Sequence, residues 1–441
     1  MLSILIVLAF VVGYALIALE HPLKIDKAAT AVLTGVMCWV LLVLGFESMP
    51  LFGAAEGAPV GAENPVSYID HALFEHLGEI SGILFFLLGA MTVVELIDAH
   101  DGFRVITDRV TTTNRVRLLW ILSLVSFFLS AVLDNLTTAI VMSALLRRIT
   151  SQKEDMWLLA GFVIIAANAG GAWSPIGDVT TIMLWIGGQV SASNVIKVLF
   201  VPSFICLLVP LTIASFLVKG HVKKPAHQEE GSHGYQTTPR QQRIIFALGV
   251  MSLLFVPFFK TLTHLPPFLG ILFGLGALWV VTELMHNDHE SESRKTLTVV
   301  AVLRRIDTPS ILFFLGILLA VAALETSGHL RLMAGVLDRT FGNIYAINTL
   351  IGLLSSIVDN VPLVAAAMGM YPLSQFPTDH PFWELLAYCA GTGGSVLIIG
   401  SAAGVAAMGV LKIDFIWYLR KISLYALAGY FSGILVYFLF A

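Results

Sequence analysis

The sequence predicts an all-α polytopic membrane protein built from two inverted repeats, each with a re-entrant helical hairpin and a broken transmembrane helix. Three observations carry that expectation. Of 441 residues, 57% are hydrophobic and 12% charged, whereas a soluble protein carries about a quarter charged residues. Apolar runs of the roughly 20 residues that a span requires recur along the chain. Finally, Leu-Ser-Ala-Val-Leu-Asp-Asn at 129–135 and Leu-Ser-Ser-Ile-Val-Asp-Asn at 354–360 each place a carboxylate inside apolar sequence.

Composition removes several alternatives. Long continuous apolar runs exclude a β-barrel, whose strands alternate weakly. The net charge of −4 says little about partners, since in a membrane protein the distribution of charge matters more than its sum, and no nucleic-acid partner is expected. Cys38, Cys206 and Cys389 lie in apolar runs with no CxxC spacing, so no disulfide framework or metal site follows. The N-terminal Met-Leu-Ser-Ile-Leu-Ile lacks a basic n-region and cleavage site, and the first apolar run is expected to be a retained span.

Read in order, spans fall near 2–19, 27–46, 78–97, 158–186 and 195–218, with the Asp134 segment between the third and fourth. A polar stretch at 219–242 reads as a flexible cytoplasmic tether. Spans then follow near 243–259, 266–285, 309–325, 382–411 and 414–440, with Asp359 again between the third and fourth. The first repeat is therefore 1–218 and the second 243–441.

Three sequence pairs support duplication. Ile-Leu-Phe-Phe-Leu occurs at 83–87 and 311–315, and the two Asp-Asn segments match. Ala-Asn-Ala-Gly-Gly-Ala-Trp-Ser-Pro-Ile-Gly at 167–177 pairs with Ala-Gly-Thr-Gly-Gly-Ser-Val-Leu-Ile-Ile-Gly at 390–400. Five crossings per half, an odd number, invert the second half, as in many secondary transporters. With both termini outside, 21 of the 25 Lys and Arg residues are cytoplasmic, all but Lys197, Lys260, Arg331 and Arg339, in line with the positive-inside rule. The outer loop at 47–77 carries Glu47, Glu56, Glu63, Asp70 and Glu75 with no Lys or Arg. The Asp134 segment then enters from the cytoplasm and the Asp359 segment from outside.

Arg115 and Arg117 precede the Asp134 segment and Arg147 and Arg148 follow it, so two short arms return to one face. Irregular backbone at membrane depth persists only when buried in protein or lining a wet cavity. Asp134, Asn135, Thr137 and Thr138 form one candidate tip, and Asp359 and Asn360 the other. Gly170, Gly171, Pro175 and Gly177 interrupt one span, and Gly393, Gly394 and Gly400 interrupt its counterpart. Alongside these breaks stand Asn168, Ser174, Asp178, Thr180 and Thr181, and then Thr392, Ser395 and Ser401. The set is rich in oxygen and free of sulfur and imidazole, which suits a hard cation. Asp178 aligns with Ser401, so the site is expected to be asymmetric in charge.

Asp is also a strong helix N-cap, and capping alone is the simpler account of Asp134 and Asp178. Energetics favours more. An acid near the bilayer centre costs roughly 2.5–3.5 kcal/mol on insertion scales, while replacing a cap with Ala costs about 0.5–2 kcal/mol. Serine or asparagine would cap at less cost. Asp134, Asp178 and Asp359 are therefore expected to share Na+ or a proton. Glu95 and Glu325, near the ends of corresponding spans, read equally as protonatable groups or as snorkelling interface residues. The twelve histidines fall mostly in loops.

The paired Asp-Asn segments, with Asn-Ala-Gly-Gly-Ala-Trp-Ser-Pro-Ile-Gly-Asp-Val-Thr-Thr at 168–181, resemble the NhaD-type sodium/proton antiporters of the ion transporter superfamily. The likeness covers nearly the whole chain and shows no major departure from the family pattern. It implies a mobile transport domain of hairpins and broken helices beside a dimerising scaffold, with elevator-like alternating access. It also implies functional roles for Asp134, Asn135, Asn168, Asp178, Thr180, Thr181, Asp359 and Asn360, joined by Ser355, Thr392 and Ser395. The expectation is then exchange of cytoplasmic Na+ (or Li+) for external H+ in pH homeostasis, by a homodimer in a bacterial plasma membrane.

Competition supplies the physics. Burial favours a protonated carboxyl and a bound cation favours the ionised one, so one site holds either ion and couples the two flows. No GxxxxGK[ST] motif is present, and neither ATP nor a resident cofactor is expected. Two other readings stand beside this one. Relatives in the superfamily carry arsenite or carboxylates, against which the three acids and the lack of Lys or Arg in the core weigh. An intramembrane aspartyl protease needs Gly-x-Gly-Asp, whereas Pro175 precedes Ile176-Gly177-Asp178 here.

Overall fold

A computed structural model describes residues 2–18, 20–45, 65–108, 110, 112–223, 237–286 and 297–440. These residues form helices and connecting turns, with one isolated bridge between Asn114 and His221. The acidic residues Glu47, Glu56 and Glu63, and residues 224–236 of the expected tether, lie outside the described residues.

The first half comprises α1 (Leu2–Ala18), α2 (Glu20–Leu23), α3 (Lys27–Gly45), α4 (Pro65–Ala99) and α5 (Arg104–Thr107). It continues through α6 (Arg115–Leu133), α7 (Asn135–Ile149), α8 (Lys153–Ala172), α9 (Val179–Ile186) and α10 (Ala192–Leu217). The second half holds α11 (Pro239–Thr263), α12 (Pro267–Met285), α13 (Val299–Leu303), α14 (Thr308–Thr326), α15 (His329–Phe341) and α16 (Ile344–Leu354). It ends with α17 (Asn360–Met370), α18 (Pro381–Gly393), α19 (Ala402–Leu411), α20 (Phe415–Lys421) and α21 (Ser423–Phe440). Nine of the described helices are long and apolar enough to cross a membrane. Met251, Leu254, Phe258 and Leu262 on α11, and Phe273 and Leu284 on α12, are exposed, as lipid-facing side chains are. This is an all-α integral membrane protein.

Several boundaries differ from the sequence expectation. Helix α4 begins at Pro65, not near 78, because 65–77 contains polar residues but no breaker after Pro65. The span expected at 414–440 is divided at Ile422, and α20 lies at 118° to α19. Helix α15, with Arg331 and Arg339, was not expected. The ends of the 219–242 stretch are ordered: Arg115 N donates to Gly220 O at 3.1 Å, Ser151 N to Lys223 O at 3.3 Å, and α11 starts at Pro239 behind a Thr238–Gln241 capping box.

Both Asp-Asn segments are hairpins. Helix α6 has 19 residues and is long enough to cross, yet α7 returns to the same end. There Asn114 pairs with His221, and Ser151 bonds to Lys223. In the second hairpin, Asn348 Nδ2 of α16 donates to Phe382 O at 2.9 Å, and Tyr371, just beyond α17, packs on the Phe382 ring. Helices α10 and α21 run antiparallel, with Gly429 against Cys206 and Gly433 against Pro202. The first hairpin opens at the Leu217 end of this pair, where Trp120 Nε1 reaches Ser215 Oγ at 2.8 Å. The second opens at the other end, where Tyr345 meets Phe438.

The two halves also repeat individual bonds. Ser130 Oγ donates to Ala167 O at 2.6 Å, and Ser355 Oγ to Ala390 O at 2.9 Å, at aligned positions. Backbones touch without intervening side chains where glycines require it. A Cβ at Gly170 would strike Phe127 O, one at Gly393 would strike Gly352 O, and one at Gly400 would meet Ser355 and Ser356 O at 2.5 Å each. The inner halves of α8 and α18, from Leu159 and Phe382 onward, are buried throughout. They form the centre against which both hairpins lie.

Candidate functional site

Each of the three aspartates begins a helix. Asp134, with φ 87°, separates α6 from α7; its carboxylate accepts from Thr137 N at 2.7 Å and Thr137 Oγ1 at 2.9 Å. Asp178 caps α9 through Thr180 N at 2.8 Å and Thr180 Oγ1 at 2.6 Å, and Thr181 Oγ1 donates to Asp178 O at 2.9 Å. Asp359 caps α17 through Val361 N at 3.2 Å. Capping is thus real at all three positions.

Asp178 does more than cap. Its Oδ2 accepts from Asn135 Nδ2 of the first hairpin at 2.5 Å, and its Oδ1 lies 3.4 Å from Asn360 Nδ2 of the second. Asn135 Nδ2 also reaches Asn168 Oδ1 at 3.0 Å, and Asn168 Nδ2 donates to Ser395 Oγ and Ser401 Oγ, both at 2.9 Å. One buried polar chain therefore joins both hairpin tips and both helix breaks. The Asp178–Ser401 alignment appears as structure: Ser401 caps α19 through Gly404 N at 3.2 Å, as Asp178 caps α9.

Other expected members stand apart from this chain. Thr392 Oγ1 bonds its own helix at Tyr388 O (2.6 Å), Ser355 is engaged with Ala390 O, and Ser174 with Ala131 O at 2.5 Å. Thr138 is fully buried, and its Oγ1 has no hydrogen-bond partner among the described residues. Among the described residues, no group of three or more Asp, Glu, His or Cys side chains is arranged to hold a metal. Asparagine amides, not further carboxylates, surround Asp178.

Sequence reasoning overlooked Lys27. Its ammonium lies 3.6 Å from Asp359 Oδ2 and 4.5 Å above the Phe313 ring. The expectation of a core without Lys or Arg is corrected here: a lysine at the start of α3 looked like a cytoplasmic flanking charge. Tyr14 OH reaches Asp359 O at 3.5 Å. Tyr14, Glu20, Lys27 and Asp359 line a cavity of about 490 Å³. Thr137, Glu95 and Asp98 line another of about 160 Å³, and His76, Glu79 and Glu325 a third of about 430 Å³.

Spanning helices, two hairpins that turn back, and an acid held between their tips define a polytopic membrane transporter. The citrate transporter family matches residues 14–391. Sodium/proton antiporter 1 of Arabidopsis thaliana is 49% identical over 432 residues, covering 98% of this chain and 71% of that protein. Sodium/proton antiporter 2 of the same plant is 45% identical over 430 residues, 98% of each chain. The Na(+)/H(+) antiporter NhaD of Vibrio cholerae is 32% identical, covering 98% of this chain and 90% of that one. The chain belongs to the citrate transporter family and, within it, is an NhaD-type ion transporter. It is a transporter rather than an enzyme, which removes the protease reading.

Proposed function

We propose that the protein exchanges Na+ for H+ at a site centred on Asp178, with Asp134 and Asp359 at its two approaches. The observation that carries this reading is the placement of the Asp178 carboxylate between Asn135 and Asn360, one from each hairpin tip. An asparagine can offer N–H to a carboxylate or, by turning its amide, oxygen to a cation. Asn135, Asn168 and Asn360, with Thr180, Thr181, Ser395 and the unpartnered Thr138 hydroxyl, supply the neutral oxygen ligands. Thr137 holds Asp134 in place, and Ser355 and Thr392 brace the backbone behind. Na+ and H+ compete for the same carboxylate, so one leaves as the other binds.

The finer features rest on the same frame. We read residues 1–218 and 243–441 as inverted repeats, supported by the opposed hairpin mouths and the paired Ser130 and Ser355 bonds. The charge pattern supports N- and C-termini outside, while the likeness to NhaD-type antiporters supports Na+ or Li+ leaving the cytoplasm as protons enter, by elevator-type movement within a homodimer. No resident cofactor is required. The relatives come from a plant and from bacteria, so residence in a membrane is supported, and a bacterial plasma membrane is not singled out.

The family description names citrate, and Lys27 could face an anion. However, Lys27 is already paired with Asp359, and the polar groups bonded to Asp178 are neutral. Reconstituted vesicles carrying a pH gradient distinguish the two readings. Addition of Na+ is expected to dissipate the gradient, while citrate in potassium medium is not. A response to citrate without one to Na+ would overturn the antiport reading.

A further inference from the structure

Lys27 carries no role in the exchange described above, yet it is the cation nearest to a proposed ligand of the site. It is the first residue of α3, where the helix dipole disfavours positive charge. The local capping duty falls to Asp26, which accepts from Ala28 N at 2.7 Å. The ammonium is instead satisfied at a distance, by Asp359 across the chain and by the face of Phe313. A cation over an aromatic ring and a carboxylate at 3.6 Å form a seat that can be vacated, since 3.6 Å exceeds a close charged hydrogen bond.

We propose that the Lys27 ammonium is a built-in competitor for the transported cation at Asp359. It holds this carboxylate until Na+ reaches the tip of the second hairpin, and then withdraws. This rests on the antiport reading above. Two positive charges beside one carboxylate repel each other strongly in a weakly polar setting, so occupancy is exclusive. The cavity of about 490 Å³ gives the side chain room, and Glu20 on its wall offers a second carboxylate to the displaced ammonium. Charged and titratable groups facing Asp359 come from four places: Tyr14 on α1, Glu20 on α2, Lys27 on α3, and Asp178 at the break before α9. Lys27 is the cation among them. Helix α3 packs along α14, where Trp39 Nε1 donates to Leu319 O at 2.9 Å. The pair therefore links the hairpin to a helix outside the hairpin and broken-helix core.

The test is a Na+ titration of exchange by reconstituted protein at one alkaline pH. Lys27→Gln is expected to lower KM for Na+ by up to roughly fivefold, the range of one partly exposed ion pair, without raising the maximal rate. Lys27→Arg is expected to restore a KM close to the native one. In detergent, the Na+ concentration that gives half of the thermal stabilisation should fall by the same factor, a readout independent of transport. An unchanged KM and half-stabilising concentration in Lys27→Gln would overturn the proposal. Should that variant fail to insert, Phe313→Leu retains the charge and removes the ring; a smaller shift in the same direction is expected, and no shift overturns the proposal. Native protein that ignores Na+ sinks the antiport reading and this inference together, whereas native exchange with an unmoved variant KM sinks this inference alone.

Discussion

The Asn135 amide donates to the Asp178 carboxylate at 2.5 Å, joining the tip of the first hairpin to the break between α8 and α9. Because Asn360 approaches the same carboxylate from the second hairpin, a single side chain touches both re-entrant elements. A change of charge at Asp178 therefore bears directly on a contact made by each hairpin.

Asp178→Asn tests charge apart from capping. Asparagine caps a helix about as well as aspartate, so the bond from Thr180 N survives, while the amide NH2 now faces the Asn135 donor and a modest fall in melting temperature, with the fold retained, is expected. Na+-dependent proton movement should fall to background. Asp134→Asn and Asp359→Asn should also abolish exchange while inserting normally. Native rates in all three would remove the site from consideration.

Asn168 ties the first half to the second through Ser395 and Ser401. Asn168→Ala leaves both hydroxyls and the Asn135 amide short of a partner, at about 1–3 kcal/mol for a buried group left unsatisfied. Thermal unfolding in detergent should shift downward and exchange should fall. Asn168→Asp preserves shape but adds a second charge beside Asp178, and should lose exchange. An unaltered melting curve for Asn168→Ala would contradict the network.

Gly170 and Gly393 occupy matching close approaches, to Phe127 O and Gly352 O. Each neighbour is backbone, which cannot swing aside. Gly170→Ala and Gly393→Ala should each cost about 1–3 kcal/mol or more through overpacking, read as reduced yield of folded protein in size-exclusion chromatography. Gly276→Ala, with open space around it, serves as the control. Equal yields for all three would refute the tight backbone contact.

A pH effect should arise where α4 meets α12. His100 Nδ1 faces Leu96 O at 2.8 Å, so a neutral His100 carries its hydrogen there and accepts at Nε2 from His286 Nε2, 3.0 Å away. Protonating His100 would set two N–H groups face to face. Burial, with a smaller contribution from His286, holds His100 down to about 4 against the opposing pull of Leu96 O, whereas an unfolded histidine titrates near 6.5. As pH falls, the unfolded chain takes up this proton first. Stability from this group is therefore complete above about pH 6.5 and lost progressively toward pH 4. Melting temperatures measured across that range should decline, and His100→Gln should flatten the decline. An identical slope in the variant would assign the effect elsewhere.

Much of the site was legible because it is written twice. Asp134-Asn135 and Asp359-Asn360 repeat a phrase, and the glycines at 170, 171 and 177 announce a break that their counterparts echo. Asn168 and Ser395 fell within those phrases, and the structure bonds them. Lys27 was illegible because its neighbours, Lys24 and Asp26, make it look like an ordinary flanking charge, and only the fold brings α3 to the second hairpin. Helix α15 escaped notice because Arg331, Asp338 and Arg339 interrupt its apolar residues. The break at Ile422 has no glycine or proline to mark it; the Ile422 side chain there lies against Gly161.

Residues 219–223, just beyond α10, tie the mouth of the first hairpin to the stretch that joins the two halves. Arg115 and Ser151, one on each side of the first hairpin's mouth, are both hydrogen-bonded to 219–223, which leads directly into the stretch joining the halves. Tension on that joining stretch pulls on the first mouth. The second mouth is fastened at Phe382 within its own half and also, through Asp379 on Ser191 and Thr378 on Gly188, to the turn that precedes α10.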